Sequence, residues 1–400
     1  MFSLIALFVF AAGQTPSNDY LIKAREIHRQ VPLVDGHNDL PWVIRANGGD
    51  FEKYNIAMRL SKGQTDIPRL REGGVGGQFW SVWVPTSLQG SDAVKTTLEQ
   101  IGTVHRMIEI YPNAFELALS ADDIERIFRK GKIASLIGME GGHSIDSSLT
   151  ALTAFYYAGA RYMTLTHSKN TPWADSATDE PKLGGLNEFG EKVVLEMNRL
   201  GMLVDLSHVS ADTMMDALKV SKAPVIFSHS GARGVCDHPR NVPDDVLKEL
   251  KKNGGIVMVV ILADYVSPEI PRWSKNRDAT QKQLQEKYPN DPEKVQNELK
   301  EWMQKNPKPR ATLSQVADHI DHIRKVAGID HIGIGSDFDG GGGVDGLEDV
   351  SKFPYLTAEL LRRGYSEGEI KKILGLNLLR VMRQVEKVAK ELRQAVQKAA

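Results

Sequence analysis

A histidine and an aspartate two residues apart, His37-x-Asp39 in VDGHNDLPW, follow directly on an apolar run. Alternate residues of an extended chain point the same way, so both side chains can face one ion. A lone pair of this kind is more often just a polar turn that ends a strand. Other ionisable residues, however, follow apolar runs in the same manner. Glu140 closes KIASLIGME, His167 closes YMTLTH, His208 closes MLVDLSH, His229 closes APVIFSH, and Asp337 lies in HIGIGSDF. Mixed imidazole and carboxylate donors suit Zn²⁺, with Mn²⁺ or Co²⁺ as substitutes. The five donors His37, Asp39, Glu140, His208 and His229 are too many for one open catalytic zinc. They fit two ions bridged by a carboxylate, which roughly 3.5–4 Å apart polarise a carbonyl and hold a hydroxide between them.

These residues converge only if their strands do. Eight strand-like runs recur: 31–37, 75–84, 132–140, 162–167, 202–208, 223–229, 255–262 and 331–338. They are β-branched and almost continuously apolar, as strands buried on both faces should be. The segments between them, such as SDAVKTTLEQIGTVHRMIEIY, carry apolar residues at helical spacing. Eight strand–helix units predict an α/β fold of the (β/α)8 TIM-barrel type, whose strand ends meet at one mouth. A doubly wound open sheet is the alternative, but no G-x-G-x-x-G follows the first strand. The expected organisation is a single barrel domain over residues 20–390. A polar, proline-punctuated helical insertion at 267–310, between the seventh and eighth strands, is either a solvated excursion or a lid.

Bulk properties narrow the function. The 400 residues carry 50 basic and 51 acidic side chains, a net charge of -1, so nothing points to nucleic acid or an anionic membrane. The single cysteine, Cys236, rules out an internal disulfide. MFSLIALFVFAAG has the length and the small residues of a cleaved export signal (residues 1–13), with Gln14 or a close neighbour as the mature start, although no Lys or Arg precedes the apolar run. The expected protein is exported, periplasmic or secreted, and soluble, without a GPI signal or other membrane anchor.

The motifs VDGHNDLPW, GGQFWSVW, ASLIGMEGGHSIDSS, LTHSKNTPWADS, IFSHS, RNVPDDVL, LSQVADHIDHI and GSDFDG resemble those of the membrane (renal) dipeptidase family, zinc peptidases of the amidohydrolase-like barrel type. The resemblance runs from about residue 20 to about residue 385. It implies hydrolysis of dipeptides at a binuclear zinc site, by a hydroxide bridging the metals. His37 and Asp39 would bind one zinc, His208 and His229 the other, and Glu140 would bridge them. His167 would steady the oxyanion, and Arg240 in PRNVPDD would pair with the substrate's C-terminal carboxylate. Asp337 would take the proton from the water and deliver it to the leaving amine. The family also implies tolerance of a D-residue at the C-terminal position and, in some members, hydrolysis of β-lactams. Lys169 stands where animal members carry a cysteine, and the stretch GVCDHPR and the long insertion also depart from them. These departures suggest a bacterial-type, soluble chain whose possible homodimer is not disulfide-linked. The alternative function is that of another binuclear metal hydrolase: an N-acyl-amino-acid amidase, a lactonase or a β-lactam hydrolase. A barrel kept only for binding would be expected to have lost ligands.

The remaining polar and aromatic residues have weaker claims. His143 is expected to be a hydrogen-bonded structural residue. His319 and His322 form an H-x-x-H on a helix whose polar side is expected to face solvent. His238 neighbours Arg240, Cys236 is expected to be inert, and Trp42 and Trp173 either wall the pocket or pack. Asp175 orients a ligand or caps a helix.

Overall fold

The computed structural model describes residues 18–399. The expected export signal therefore lies outside the described residues. Nine parallel strands are present: β1 (Leu33–Asn38), β2 (Val75–Ser81), β3 (Phe115–Leu117), β4 (Ile133–Glu140), β5 (Ala160–Thr164), β6 (Leu203–Asp205), β7 (Ile226–Ser230), β8 (Ile256–Val259) and β9 (Ile332–Ile334). They run in the order β2-β1-β9-β8-β7-β6-β5-β4-β3, and an extra β2–β4 pairing closes eight of them into a ring. The result is a (β/α)8 barrel.

The sequence did not signal β3. It pairs with Ile133–Ser135 of β4, while β5 pairs with β4 from Ile137 onward and β2 takes the other edge. β3 thus extends the ring's lower rim beneath β5. Three residues are too few to show a period.

Every residue of β1, β2, β4, β5 and β7 is buried, as parallel strands sheathed by helices require. The helices begin at side-chain caps: Ser120 accepts from Asp123 N, Asn187 from Phe189 N and Gly190 N, and Thr312 forms a capping box with Gln315. The last helix, Asn377–Ala399, lies across the lower end of the barrel. It packs Leu378, Leu379, Val381, Met382 and Val385 against β-strand residues such as Leu203, Ile226 and Ile256. Each such buried aliphatic side chain contributes about 1.5–3 kcal/mol.

The stretch between β8 and β9 folds as two helices, Glu269–Lys287 and Pro292–Lys305, before the helix Leu313–Val326 that precedes β9. Only Ile270, Val295 and Leu299 of the pair are buried. The two helices hold each other through Tyr288 Oη to Glu298 Oε1 (2.8 Å), and Trp273 Nε1 donates to the Asn306 carbonyl (2.7 Å).

Several ladders end earlier than the sequence suggests. β5, β6 and β9 stop at Thr164, Asp205 and Ile334, so His167, His208 and Asp337 each stand three residues beyond a strand. The chain bends there: His208 and Asp337 adopt left-handed backbone conformations, with φ of 72° and 63°. Non-glycine residues seldom do so unless their surroundings hold them. The His208 carbonyl is held by the backbone N–H of Ala177 (2.7 Å) and the hydroxyl of Thr166 (3.2 Å).

Candidate active site

The barrel's upper mouth gathers the ionisable residues. Asp39 occupies the N-cap position of the helix Leu40–Ala46, where an aspartate normally accepts a backbone N–H. Its carboxylate makes no such bond. It turns instead to His37 Nε2, with Oδ2 at 3.3 Å. Glu140, the last residue of β4, stands between two groups. Its Oε2 lies 3.4 Å from His37 Nε2 and accepts from Ser81 Oγ at 3.2 Å. Its Oε1 lies 2.9 Å from His208 Nε2 and 3.5 Å from the Nε2 atoms of both His229 and His167. One carboxylate oxygen therefore faces each half of the cluster.

The imidazoles are crowded. His208 Nε2 and His229 Nε2 are 3.0 Å apart, and the His37 and His229 rings lie at 3.9 Å between centroids. Donor atoms converge in three compact groups: His37, Glu140 and His229; Glu140, His167 and His208; His37, Asp39 and Asp337. His37, Asp39, Glu140, His208, His229 and Asp337 are thus all brought to one place. His229 stands within reach of His37 as well as His208, and His167 is as close to Glu140 as His229 is.

Burial and mutual charge set the protonation states. Burial lowers the pKa of His208 and His229 well below the ordinary histidine value, helped by the Arg240 charge beside His208 and the His37 charge beside His229. Neutral imidazole is the form that ligates metal. Burial also opposes charge on His37, but Tyr162, Glu140 and Asp39 outweigh it and raise that pKa well above the usual range. Burial alone would raise the Glu140 carboxyl; His37, His167 and the hydrogen bond from His208 outweigh it and hold it well below. His37 Nε2 is buried and has no hydrogen-bond partner although two carboxylates face it. That nitrogen calls for a cation. The N/O donor set fits zinc-type ions.

Asp337 is 8% exposed, and burial with the neighbouring Asp39 pushes its pKa well above the carboxylate range. Its backbone N–H donates to the His37 carbonyl (3.1 Å), which ties the loop after β9 to β1. Gly340 leaves this corner room, since a Cβ there would lie 2.1 Å from Asp39 Oδ2 and 2.6 Å from Asp337 Oδ1.

Arg240 is 1% exposed. Its guanidinium reaches Ser230 Oγ (3.4 Å) and the His229 carbonyl (3.3 Å), lies over the Tyr265 ring at 5.3 Å, and keeps a buried Nε without a partner. Among the described residues no carboxylate pairs with it. A cavity of about 510 Å³ connects it to Glu140, His167, His208 and Asp337, walled by Trp42, Trp83, Leu262 and Tyr265. No residue of 267–310 lines this cavity. A larger groove of about 1200 Å³ opens at the opposite end of the barrel, among Lys222, Asn253 and Arg380. It lacks the convergent acids and imidazoles of the smaller one, and the chemistry belongs to the smaller.

The remaining expectations divide. His143 is structural, bonding the Val84 carbonyl (3.2 Å). His238 stacks on Tyr265 at 4.5 Å between ring centroids. Cys236 is buried, with its thiol pushed up to about 11 by desolvation. Trp42 walls the cavity edge-on to Trp83, at 4.6 Å, while Trp173 packs against Phe189. His322 reaches Asp244 (2.7 Å). His319 does not face solvent as expected: it is fully buried, accepting from Ala232 N (2.8 Å) and donating to the Val266 carbonyl (3.1 Å). Two loop backbones needed partners there, and an imidazole supplies both. Asp175 neither orients a ligand nor caps a helix; its carboxylate gathers the N–H groups of Lys182, Leu183 and Gly184.

Trp83, Tyr265 and Ser81 escaped the sequence reading. Ser81 is the last residue of β2, Trp83 stands two residues beyond it, and Tyr265 lies in the short helix Ala263–Val266 after β8.

Residues 21–396 match the family described as membrane dipeptidase (peptidase family M19). The chain is 46% identical over 373 residues to dipeptidase 3 of Rattus norvegicus, covering 92% of this chain and 67% of that protein. Among solved structures, a probable dipeptidase from Pseudomonas aeruginosa has a TM-score of 0.78 at 27% identity, covering 93% of this chain and 99% of the other. A metallopeptidase from Rhodobacter sphaeroides, liganded with a phosphinate mimic of L-Ala-D-Ala, has a TM-score of 0.73 at 23% identity, covering 89% and 99%. The mammalian identity exceeds the bacterial ones, so these comparisons lend no weight to the bacterial-type reading.

Proposed function

Because this chain belongs to the membrane dipeptidase family, a family of metallo-dipeptidases, we propose that its upper cavity hydrolyses free dipeptides with two zinc ions. His37 and Asp39 would hold one ion, His208 and His229 the other, and Glu140 both. Bound zinc would polarise the scissile carbonyl and acidify water to a nucleophile at neutral pH.

The chain's own groups do the rest. Arg240 receives the substrate's C-terminal carboxylate, which a planar guanidinium grips with two hydrogen bonds. His167, at the edge of the cavity, donates to the carbonyl oxygen as its negative charge develops. Asp337 takes the proton of the attacking water and hands it to the leaving amine. The Trp42–Trp83 wall keeps bulk water from one side of the cavity.

The observation that carries this reading is the buried, carboxylate-free Arg240 across one cavity from the acid–imidazole cluster. It favours a substrate with a free carboxylate over a lactone. The Rhodobacter protein's ligand supports acceptance of a D-residue at the C-terminal position here too. Purified protein is expected to contain about two zinc ions per chain and to cleave both L,L and L,D dipeptides until a chelator is added. Metal-free protein with full activity would overturn the proposal. The apolar run at 1–13 supports export, to be checked by N-terminal sequencing of the mature chain. Any homodimer would be held without a disulfide, since Cys236 is the only cysteine and is buried.

A further inference from the structure

No step above uses Tyr162. It stands on β5, fully buried, three places round the ring from β1. Its ring crosses the barrel interior, packs on Phe79 at 4.9 Å between centroids, and brings its hydroxyl to β1. That oxygen lies 2.8 Å from His37 Nδ1 and 3.2 Å from the Gly36 carbonyl.

A phenol has one proton to give, and a carbonyl can only accept. Donation to Gly36 leaves the phenol oxygen to accept from His37 Nδ1–H, so both contacts are satisfied. The reverse order would forfeit the bond at Gly36. With Nδ1 protonated, Nε2 keeps its lone pair, and Nε2 is the atom that faces Asp39 and Glu140 without a hydrogen-bond partner. The strand beside Tyr162 accommodates the ring: a Cβ on Gly138 would lie 2.0 Å from Tyr162 Cζ. The other half of the cluster has a separate hydroxyl, since His229 Nδ1 lies 2.8 Å from Ser228 Oγ.

We infer that Tyr162 is a positioning residue that fixes His37 as its Nδ1-protonated tautomer and thereby sets the affinity of one metal position independently of the other. This rests on the two-zinc reading above. Hydrogen bonds behind a metal-bound histidine are generally worth about 10–100-fold in metal affinity.

Tyr162→Phe keeps the ring and removes the hydroxyl. Zinc-loaded wild type and variant would be titrated with a chelator, and zinc per chain measured at each step. One zinc is expected to leave the variant at about 10–100-fold lower chelator strength, while the other is retained as in the wild type. Unchanged release of both ions, or equal weakening of both, would overturn the inference. A wild type that never binds a second zinc would instead overturn the two-zinc reading, and this inference with it. A second measurement does not depend on the variant's folding. In zinc-loaded wild type with ¹⁵N-labelled histidine, the His37 ring is expected to show a proton on Nδ1. A bare Nδ1 there would refute the inference.

Discussion

The two ends of the barrel treat buried cations in opposite ways. At the lower end Arg161, 9% exposed, donates to the carbonyls of Leu119 (2.8 Å), Ala160 (2.8 Å) and Tyr156 (3.0 Å). Arg380, exposed at the same end, donates to the carbonyls of Gly254 and Asp330, both at 2.7 Å. At the upper end Arg240 is more deeply buried, yet its contacts are longer and one nitrogen has no partner. An unsatisfied buried charge costs stability. Arg161 spends its Nε and Nη1 donors on carbonyls of the fold, whereas Arg240 is left for something the fold does not contain. That contrast separates structure from function more cleanly than burial or residue type does.

The largest test falls on the mouth. Asp337→Asn is expected to lower kcat by about 10²–10⁴-fold while leaving the thermal midpoint unchanged or higher, because a carboxyl held in an unfavourable setting is removed. A lowered midpoint with activity intact would place Asp337 with the structural residues. Arg240→Met comes next. It should reduce kcat/KM for dipeptides by roughly 10–100-fold, chiefly through KM, without loss of stability. An unchanged KM would erase the contrast with the lower end.

Arg161→Met should do the reverse. Steady-state kinetics per folded molecule should match the wild type, while denaturant unfolding shows a loss of about 1–3 kcal/mol from three deserted carbonyls. The smallest effect is a pH dependence far from the mouth. His28, buried between the Gly73 carbonyl and Thr357, has its pKa lowered to about 4 by desolvation. Above the unfolded value near 6.5 it is neutral in both states and stability is indifferent to pH. As pH falls below that value the unfolded chain takes up the proton first, so stability drops until about pH 4 and then levels. Between pH 6.5 and 5.5 the wild type should lose roughly 1 kcal/mol more than His28→Gln. Parallel losses would show that other groups dominate.

Much of this was legible in the chain. Strands buried on both faces read as apolar runs, and in a barrel every run ends at the same mouth. His37, Glu140, His208 and His229 could therefore be grouped without a structure. The rest depends on contacts that cross the ring or join loops. Tyr162 looks like any aromatic on a strand; only closure of the barrel brings its hydroxyl to His37. His319 looked solvated because helical periodicity says nothing about loops that descend onto the helix from β7 and β8. Asp175 serves backbone groups seven to nine residues further on, at no helix start. β3 was missed because a strand of three residues has no pattern to read.

The solitary thiol has a practical consequence. Cys236 is buried and holds its proton well above neutral pH, so maleimide-type reagents should pass it by. A cysteine introduced at Gln296, on an exposed face of the helix Pro292–Lys305 and away from the cavity lining, would then be the single handle for a fluorophore or a solid support. The molecule is ready for site-selective attachment without first stripping its native sulfur.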